Sequence, residues 1–210
     1  MAKPEGVFRW LYSAWMAVTS RWIEMELRAG MVAAGARLGR RGLLRGHEGN
    51  LSCRLDSGHI LLTSAGCRKD RLAGHQIVVC RLDEPLPPEA SSEGLAHLAS
   101  YDRIPGLATL AHAHPPGVLA ASAAGMMLDP GRLVECESLI PAVGQVARVR
   151  PGSGALAAAC AQELARAPVV VLADHGVFAR GATIDEAVCR IEILELLALV
   201  ALSGCDRSRE

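Results

Sequence analysis

Short continuous apolar runs alternate with alanine-rich segments of helical pattern through the second half of the chain, and this alternation limits the fold more than any other feature. "GLATLAH" (residues 106–112) and "PVVVLAD" (residues 168–174) start at Gly or Pro and carry too little polarity to leave either face wet, which predicts strands covered on both sides. "QVARVR" (residues 145–150) predicts a further strand. Helices are expected over "PGVLAASAAG", "GALAAACAQELARA" and "TIDEAVCRIEILELLALVAL". The last of these has Thr183 as N-cap and Glu186 at the capping-box position.

Upstream the signals are those of a hairpin. "NLSCRL" and "ILLTS" are β-prone and joined by the tight turn "DSGH", and "QIVVCRL" follows as a third strand. Ile23, Leu27, Met31, Val32 and Leu38 recur at helical spacing and Gly42 follows, so an amphipathic helix is expected over residues 21–40. Ser91 or Ser92 offers N-cap chemistry for a helix from Glu93 to Asp102. Hairpin-spaced strands followed by alternating strands and helices predict an α/β fold, a mixed sheet covered by helices. At 210 residues the chain suits one compact domain. Trp10, Trp15 and Trp22 are its only tryptophans, which marks residues 1–24 as an N-terminal extension ahead of a domain over residues 25–210. That extension is expected to be either a docking helix or a tail without a part in chemistry.

Composition removes several classes of function. The 22 basic and 22 acidic side chains cancel, so the charge footprint of a protein that lives on nucleic acid or an anionic membrane is missing, and a small-molecule partner is expected. Arg9, Arg21 and Glu24 break the early apolar stretch, and "IEILELLALVALSG" contains Glu192 and Glu195 and is too short to cross a bilayer. Neither a signal peptide nor a membrane span is expected. Seven cysteines without a C-x-x-C pair suit the reduced thiols of a cytoplasmic protein.

Chemistry enters with "LATLAHAHPPG". Side chains alternate across a strand, so His112 and His114 face one way and Ala113 the other. Two imidazoles on a stiff strand supply two of the nitrogen donors that a first-row metal takes at about 2 Å. His175 in "VVVLADHGVF" ends another apolar run, and Gly176 after it lets the backbone approach a ligand. Three histidines leave a coordination position open, as catalytic sites do. An isolated H-x-H pair also fits two hydrogen-bonded imidazoles at a strand end, so the surrounding motifs decide.

"ASSEGLAHLASYDRIPGLATLAHAHPPGVLAAS" resembles the segment of the class II aldolase/adducin family in which a Ser-Ser-Glu helix start precedes a metal-binding H-x-H strand. "GHEGNLSCRLDSGHILLTSAG" resembles that family's early G-x-x-G-N hairpin, and "VVVLADHGVFARGATIDEA" its H-G close. The three motifs stand in family order from about Met25 to Gly204 and look most like the fuculose-phosphate aldolase branch.

The resemblance implies a single-domain three-layer α/β/α fold with a mixed, largely antiparallel central sheet. It implies a divalent metal, foremost Zn2+ with Mn2+, Fe2+ or Co2+ as alternatives, held by His112, His114 and His175 with Glu93 at the metal as the proton-transfer carboxylate. Gly49, Asn50, Ser64, Gly66, Ser91 and Ser92 match loops that hold a sugar phosphate's phosphate, and Glu137, with Glu135 as second choice, matches a substrate-proximal acid. Glycine N–H groups and a helix start suit a phosphate dianion, although such residues also serve turns. The implied chemistry is retro-aldol cleavage of a ketose phosphate to dihydroxyacetone phosphate and an aldehyde through a cation-stabilised enediolate, in a homotetramer.

Two departures weaken the aldolase assignment. The family's aldolases use tyrosines on the aldehyde side, whereas this chain has only Tyr12 and Tyr101, at neither place. Ala65 stands where a hydroxyl residue is common in the phosphate loop, a loss of about one hydrogen bond, ~1 kcal/mol. Dehydration of a sugar phosphate or decarboxylation of a 3-oxo-acid phosphate needs no such tyrosine and is the alternative; a 4-epimerase or a non-catalytic adducin-like module ranks lower. His47, His59 and His75 are expected to be surface or structural, and His97, one helical turn after Glu93, to orient it.

Overall fold

The computed structural model describes residues 5–204, with side chains from residue 19 to residue 204. Helix α1 (Glu5–Arg40) opens the chain and passes position 24 without a break. The side chains of Trp10, Tyr12 and Trp15 lie outside the described residues. Strands β1 (Asn50–Arg54), β2 (His59–Thr63) and β3 (Ile77–Arg81) follow as an antiparallel meander, as the hairpin signals predict. Then come α2 (Gly94–Arg103), β4 (Thr109–Ala113), α3 (Pro116–Ala123), α4 (Val134–Leu139), β5 (Val143–Val146), α5 (Gly154–Leu164), β6 (Val169–Leu172), β7 (Gly176–Gly181) and α6 (Ile184–Gly204).

Among the described residues the strands form one seven-stranded open sheet in the order β3-β2-β1-β4-β7-β6-β5. Only β5 and β6 run parallel, joined by the α5 crossover; the other pairs are antiparallel. The sheet is thus mixed and largely antiparallel, as expected. Alternation divides its side chains between two cores. Leu51, Ala111, Ala113, Val169, Val171 and Val177 face α1, α3, α4 and α6. Ile60, Leu62, Leu110, Val170, Leu172 and Phe178 face α2 and α5. All four residues of β6 are buried, which is why its sequence shows no polar alternation.

Four local expectations need correction. Ile23 is 50% exposed; the core contacts of α1 begin at Leu27, so the helix overhangs the packed layer. The strand expected over "QVARVR" is displaced to Val143–Val146 because parallel pairing runs from Val143↔Val169 to Val146↔Leu172, where β6 ends. β7 was not anticipated: glycines at both ends and Arg180 obscure its period. Neither Ser91 nor Ser92 caps α2. The N-cap is Glu93, without a side-chain cap bond, because the Ser91 carbonyl accepts the Gly94 N–H in a tight turn and the Glu93 carboxylate points elsewhere.

Thr183 does cap α6, its hydroxyl accepting from the Glu186 N–H at 3.2 Å, while the Glu186 carboxylate reaches the Ala182 N–H. Glu195 of α6 accepts the N–H groups of Gly117 (2.8 Å) and Val118 (3.0 Å), satisfying the orphan donors of α3 immediately after the H-x-H strand. The six described cysteines are free, and burial pushes Cys53 and Cys160 up to about 12, so neither is a reactive thiolate. No described helix is long and apolar enough to cross a membrane.

Candidate metal centre

The register between β4 and β7 sets the first ligand candidate. His112 lies opposite Phe178, fully buried, with the two rings stacked at 4.4 Å between centroids and 16° between planes. Its Nδ1 donates to the Val177 carbonyl at 2.9 Å, which orients the ring and turns Nε2 inward. His114, two residues on and so on the same face, brings its Nε2 to 3.0 Å from His112 Nε2. His175 arrives from the turn between β6 and β7, where Asp174 takes the left-handed conformation (φ 58°) and the His175 N–H donates to the Leu172 carbonyl. The three imidazoles offer one nitrogen each, all within 4.8 Å of one another.

Glu93, just ahead of α2, completes the cluster from the opposite side. Its Oε2 lies 2.9 Å from His112 Nε2 and its Oε1 3.1 Å from His175 Nε2. Burial alone would raise this carboxyl, but hydrogen bonding and charge from His112 and His175 outweigh it and hold the group well below the usual carboxylate range. Burial, with the neighbouring charges of His112 and His175, lowers His114 to about 3, so that ring is neutral and its lone pair available.

The donors suit a divalent cation. With Nδ1 committed to the Val177 carbonyl, His112 Nε2 has a carboxylate oxygen at 2.9 Å and a second imidazole nitrogen at 3.0 Å, so a proton or a cation must lie among these atoms. His175 Nδ1 is buried and has no hydrogen-bond partner among the described residues. Gly176 permits the convergence: a Cβ there would stand 2.6 Å from the Ala113 carbonyl oxygen, 2.7 Å from His114 Cδ2 and 3.0 Å from His112 Cε1. Gly176 thus lets the backbone of its turn approach the imidazoles closely.

Beside the cluster opens a recess of about 230 Å³. Of the residues expected to hold a phosphate, Gly49, Asn50, Gly66, Ser91 and Ser92 line it. Ser64 does not; it bridges to Ala90 through backbone and donates its N–H to the Gln76 carbonyl. Glu137 and Glu135 sit exposed on α4 and do not line the recess. A larger cleft of about 720 Å³, with Arg54, His59, Arg81 and Tyr101 in its wall, lies at the far end of β1. The three converging histidines are not in its wall, whereas His114 and His175 line the smaller recess.

A chain of buried polar groups runs behind the site. Tyr101 and Ser52 hydroxyls are 3.0 Å apart, Ser52 Oγ meets His97 Nδ1 at 2.6 Å, His97 Nε2 donates to Asn50 Oδ1, and Asn50 Nδ2 donates to Glu93 Oε2 at 3.3 Å. His97 thus reaches Glu93 through Asn50 and not directly. The carboxylate accepts only, which sets the Asn50 amide and hence the donor direction at His97 Nε2. Sequence reasoning missed Ser52 and Tyr101 here, and Lys69 and Glu48 in the recess wall. The first two carry no spacing signal, and the others sit in polar stretches that read as solvated loops.

An open mixed sheet with three histidines and a carboxylate gathered beside a polar recess makes an α/β scaffold with a candidate metal centre. The family model described as Class II Aldolase and Adducin N-terminal domain matches residues 29–202, and the chain belongs to that family. It is 31% identical to methylthioribulose-1-phosphate dehydratase of Acidiphilium cryptum over 85% of this chain and 90% of the relative. It is 30% identical to 3-oxo-tetronate 4-phosphate decarboxylase of Haemophilus influenzae over 79% and 81%. Among solved structures, L-fuculose-1-phosphate aldolase from Thermus thermophilus superposes with a TM-score of 0.79 at 28% identity, covering 87% of this chain and 95% of that one.

Proposed function

We propose that this chain is a metal-dependent lyase that removes water from a phosphorylated keto sugar. The observation that carries the proposal is the position of Glu93, a buried, ionised carboxylate within 3.1 Å of two of the three converging histidines. His112, His114 and His175 hold the cation, with Zn2+ the first choice and Mn2+, Fe2+ or Co2+ next. When bound, that cation polarises the substrate carbonyl and stabilises negative charge on its oxygen. Glu93 takes the proton from the carbon beside the carbonyl; the hydroxyl on the next carbon departs, and Glu93 hands it the proton so that it leaves as water. Asn50, tied to Glu93 and backed by His97, orients the carboxylate. The part of the recess walled by Gly49, Gly66, Ser91 and Ser92 takes the phosphate.

Dehydration is preferred to aldol cleavage because no tyrosine hydroxyl among the described side chains faces the recess. The Tyr101 hydroxyl is spent in the core on Ser52 and the Ala108 carbonyl. The activity named for the Acidiphilium relative supports this choice. Retro-aldol cleavage to dihydroxyacetone phosphate and an aldehyde is the second reading, favoured by the Thermus superposition, and the Haemophilus relative supports decarboxylation of an oxo-acid phosphate on the same centre. A cytoplasmic homotetramer accompanies the proposal; exposed Leu196, Leu199 and Val200 on α6 suit burial between subunits.

The test is a screen of metal-loaded protein against methylthioribulose 1-phosphate, fuculose 1-phosphate and 3-oxo-tetronate 4-phosphate. A water-loss product is expected. Triose phosphate or carbon dioxide as the sole product would remove dehydration in favour of the corresponding alternative.

A further inference from the structure

Lys69 is 3% exposed, yet no carboxylate among the described residues touches its ammonium. Its Nζ donates once, to the His47 carbonyl at 2.9 Å, which leaves two N–H bonds without a protein partner among the described residues. Burying an unpaired ammonium is costly, and that cost persists in a fold where an anion will complete the group's coordination. Lys69 is one of the residues that wall the recess, as are Ala65, Gly66, Ser92 and the His47 whose carbonyl its ammonium meets. Ala65 is the position whose missing hydroxyl leaves the recess short of a donor.

The surroundings are built to hold this lysine still. Two glycines of α1 face the turn that carries it: a Cβ on Gly35 would stand 2.1 Å from the Lys69 carbonyl oxygen, and one on Gly39 would stand 2.4 Å from Asp70 Cβ. On the other side His47 Nδ1 lies 2.6 Å from the Gly66 carbonyl oxygen, so two hydrogen bonds stitch the Gly46–Gly49 loop to the Gly66–Lys69 loop. Burial pushes the Lys69 ammonium down from its ordinary range, and the Glu93 charge acts against that.

We propose that Lys69 is the cation that binds the phosphate monoester of the substrate, making the charge-assisted contact that Ala65 does not. This rests on the phosphate reading of the recess given under Proposed function. It assigns Lys69 as a binding residue that also selects dianionic substrates over uncharged sugars.

The experiment is calorimetric titration of the metal-loaded full chain with inorganic phosphate and, separately, with dihydroxyacetone phosphate, for wild type, Lys69→Met and Lys69→Gln. Both variants are expected to bind each probe about tenfold to a hundredfold more weakly, with metal stoichiometry unchanged. Thermal melts without phosphate are expected to show no loss of stability in Lys69→Met, since an uncompensated buried charge has been removed. Lys69→Gln retains a donor for the His47 carbonyl and decides the matter if the Met variant does not fold. Equal phosphate binding by wild type and a folded variant overturns the assignment of Lys69 alone. Wild type that binds metal but neither probe overturns the phosphate reading together with it.

Discussion

The Glu93 carboxylate and the His112 imidazole meet at 2.9 Å although they come from different elements, the start of α2 and the end of β4. His112 is held by a stacked Phe178 ring and by the Val177 carbonyl, so the carboxylate adjusts to the histidine and not the reverse. The positioning puts an acid–base group beside the centre without making it indispensable for holding the ion. Glu93→Gln is therefore expected to keep a metal ion and lose about 10²–10⁴-fold in turnover. Metal analysis and a turnover assay on the same preparation check this, and full activity in the variant removes Glu93 from the mechanism.

Gly176→Ala tests the packing that lets the histidines converge. A methyl group there meets the Ala113 carbonyl oxygen at 2.6 Å and two imidazole carbons at 2.7 and 3.0 Å, so His114 or the turn must shift. Metal affinity is expected to fall at least about tenfold while the far-ultraviolet circular dichroism is retained. Unchanged affinity by equilibrium dialysis would show that the cluster tolerates a displaced turn.

His97→Ala addresses the chain behind Glu93. The change strands Asn50 Oδ1, at about 1–3 kcal/mol for a buried group left unpaired, while the Ser52 hydroxyl loses one partner and keeps the Tyr101 hydroxyl at 3.0 Å. Denaturant melts are expected to show that loss. His97→Gln, which offers an amide in place of the ring, is expected to recover part of both stability and turnover; no recovery relative to alanine would mean that the chain does not act through hydrogen bonds.

Acid stability follows from the same histidine. Burial, and then the charge of His112, lowers His97 from its ordinary 6.5 to about 3. The folded value lies below the unfolded one, so folding favours the neutral ring. Its contribution is intact above pH 6.5 and is lost as pH falls toward 3, at about 1.4 kcal/mol per pH unit. Chemical denaturation of metal-stripped protein between pH 7 and pH 4 is expected to show that decline, with a shallower slope in His97→Gln. Equal slopes in the two proteins would contradict it.

Local periodicity made much of this architecture legible. The two-residue period placed His112 and His114 on one face, the hairpin turn placed β1 against β2, and Thr183 marked the start of α6. β7 escaped because Gly176, Arg180 and Gly181 interrupt the pattern that its buried Val177, Phe178 and Ala179 would otherwise make. The partners of Asn50 escaped for a different reason: His97 is 47 residues away and Glu93 43, and no local rule joins positions across such separations. Lys69 sits in "CRKDRLAG", where a charge run resembles a solvated turn until the glycines of α1 are seen to close over it.

The central claim is that His112, His114 and His175 hold one divalent ion. Equilibrium dialysis of purified wild type and His112→Ala against zinc, manganese, iron and cobalt, read by elemental analysis, tests it most directly. One tightly held ion per wild-type chain is expected, with affinity at least about a hundredfold weaker in the variant. Wild type that takes up none of these metals, or His112→Ala that binds as well as wild type, contradicts it.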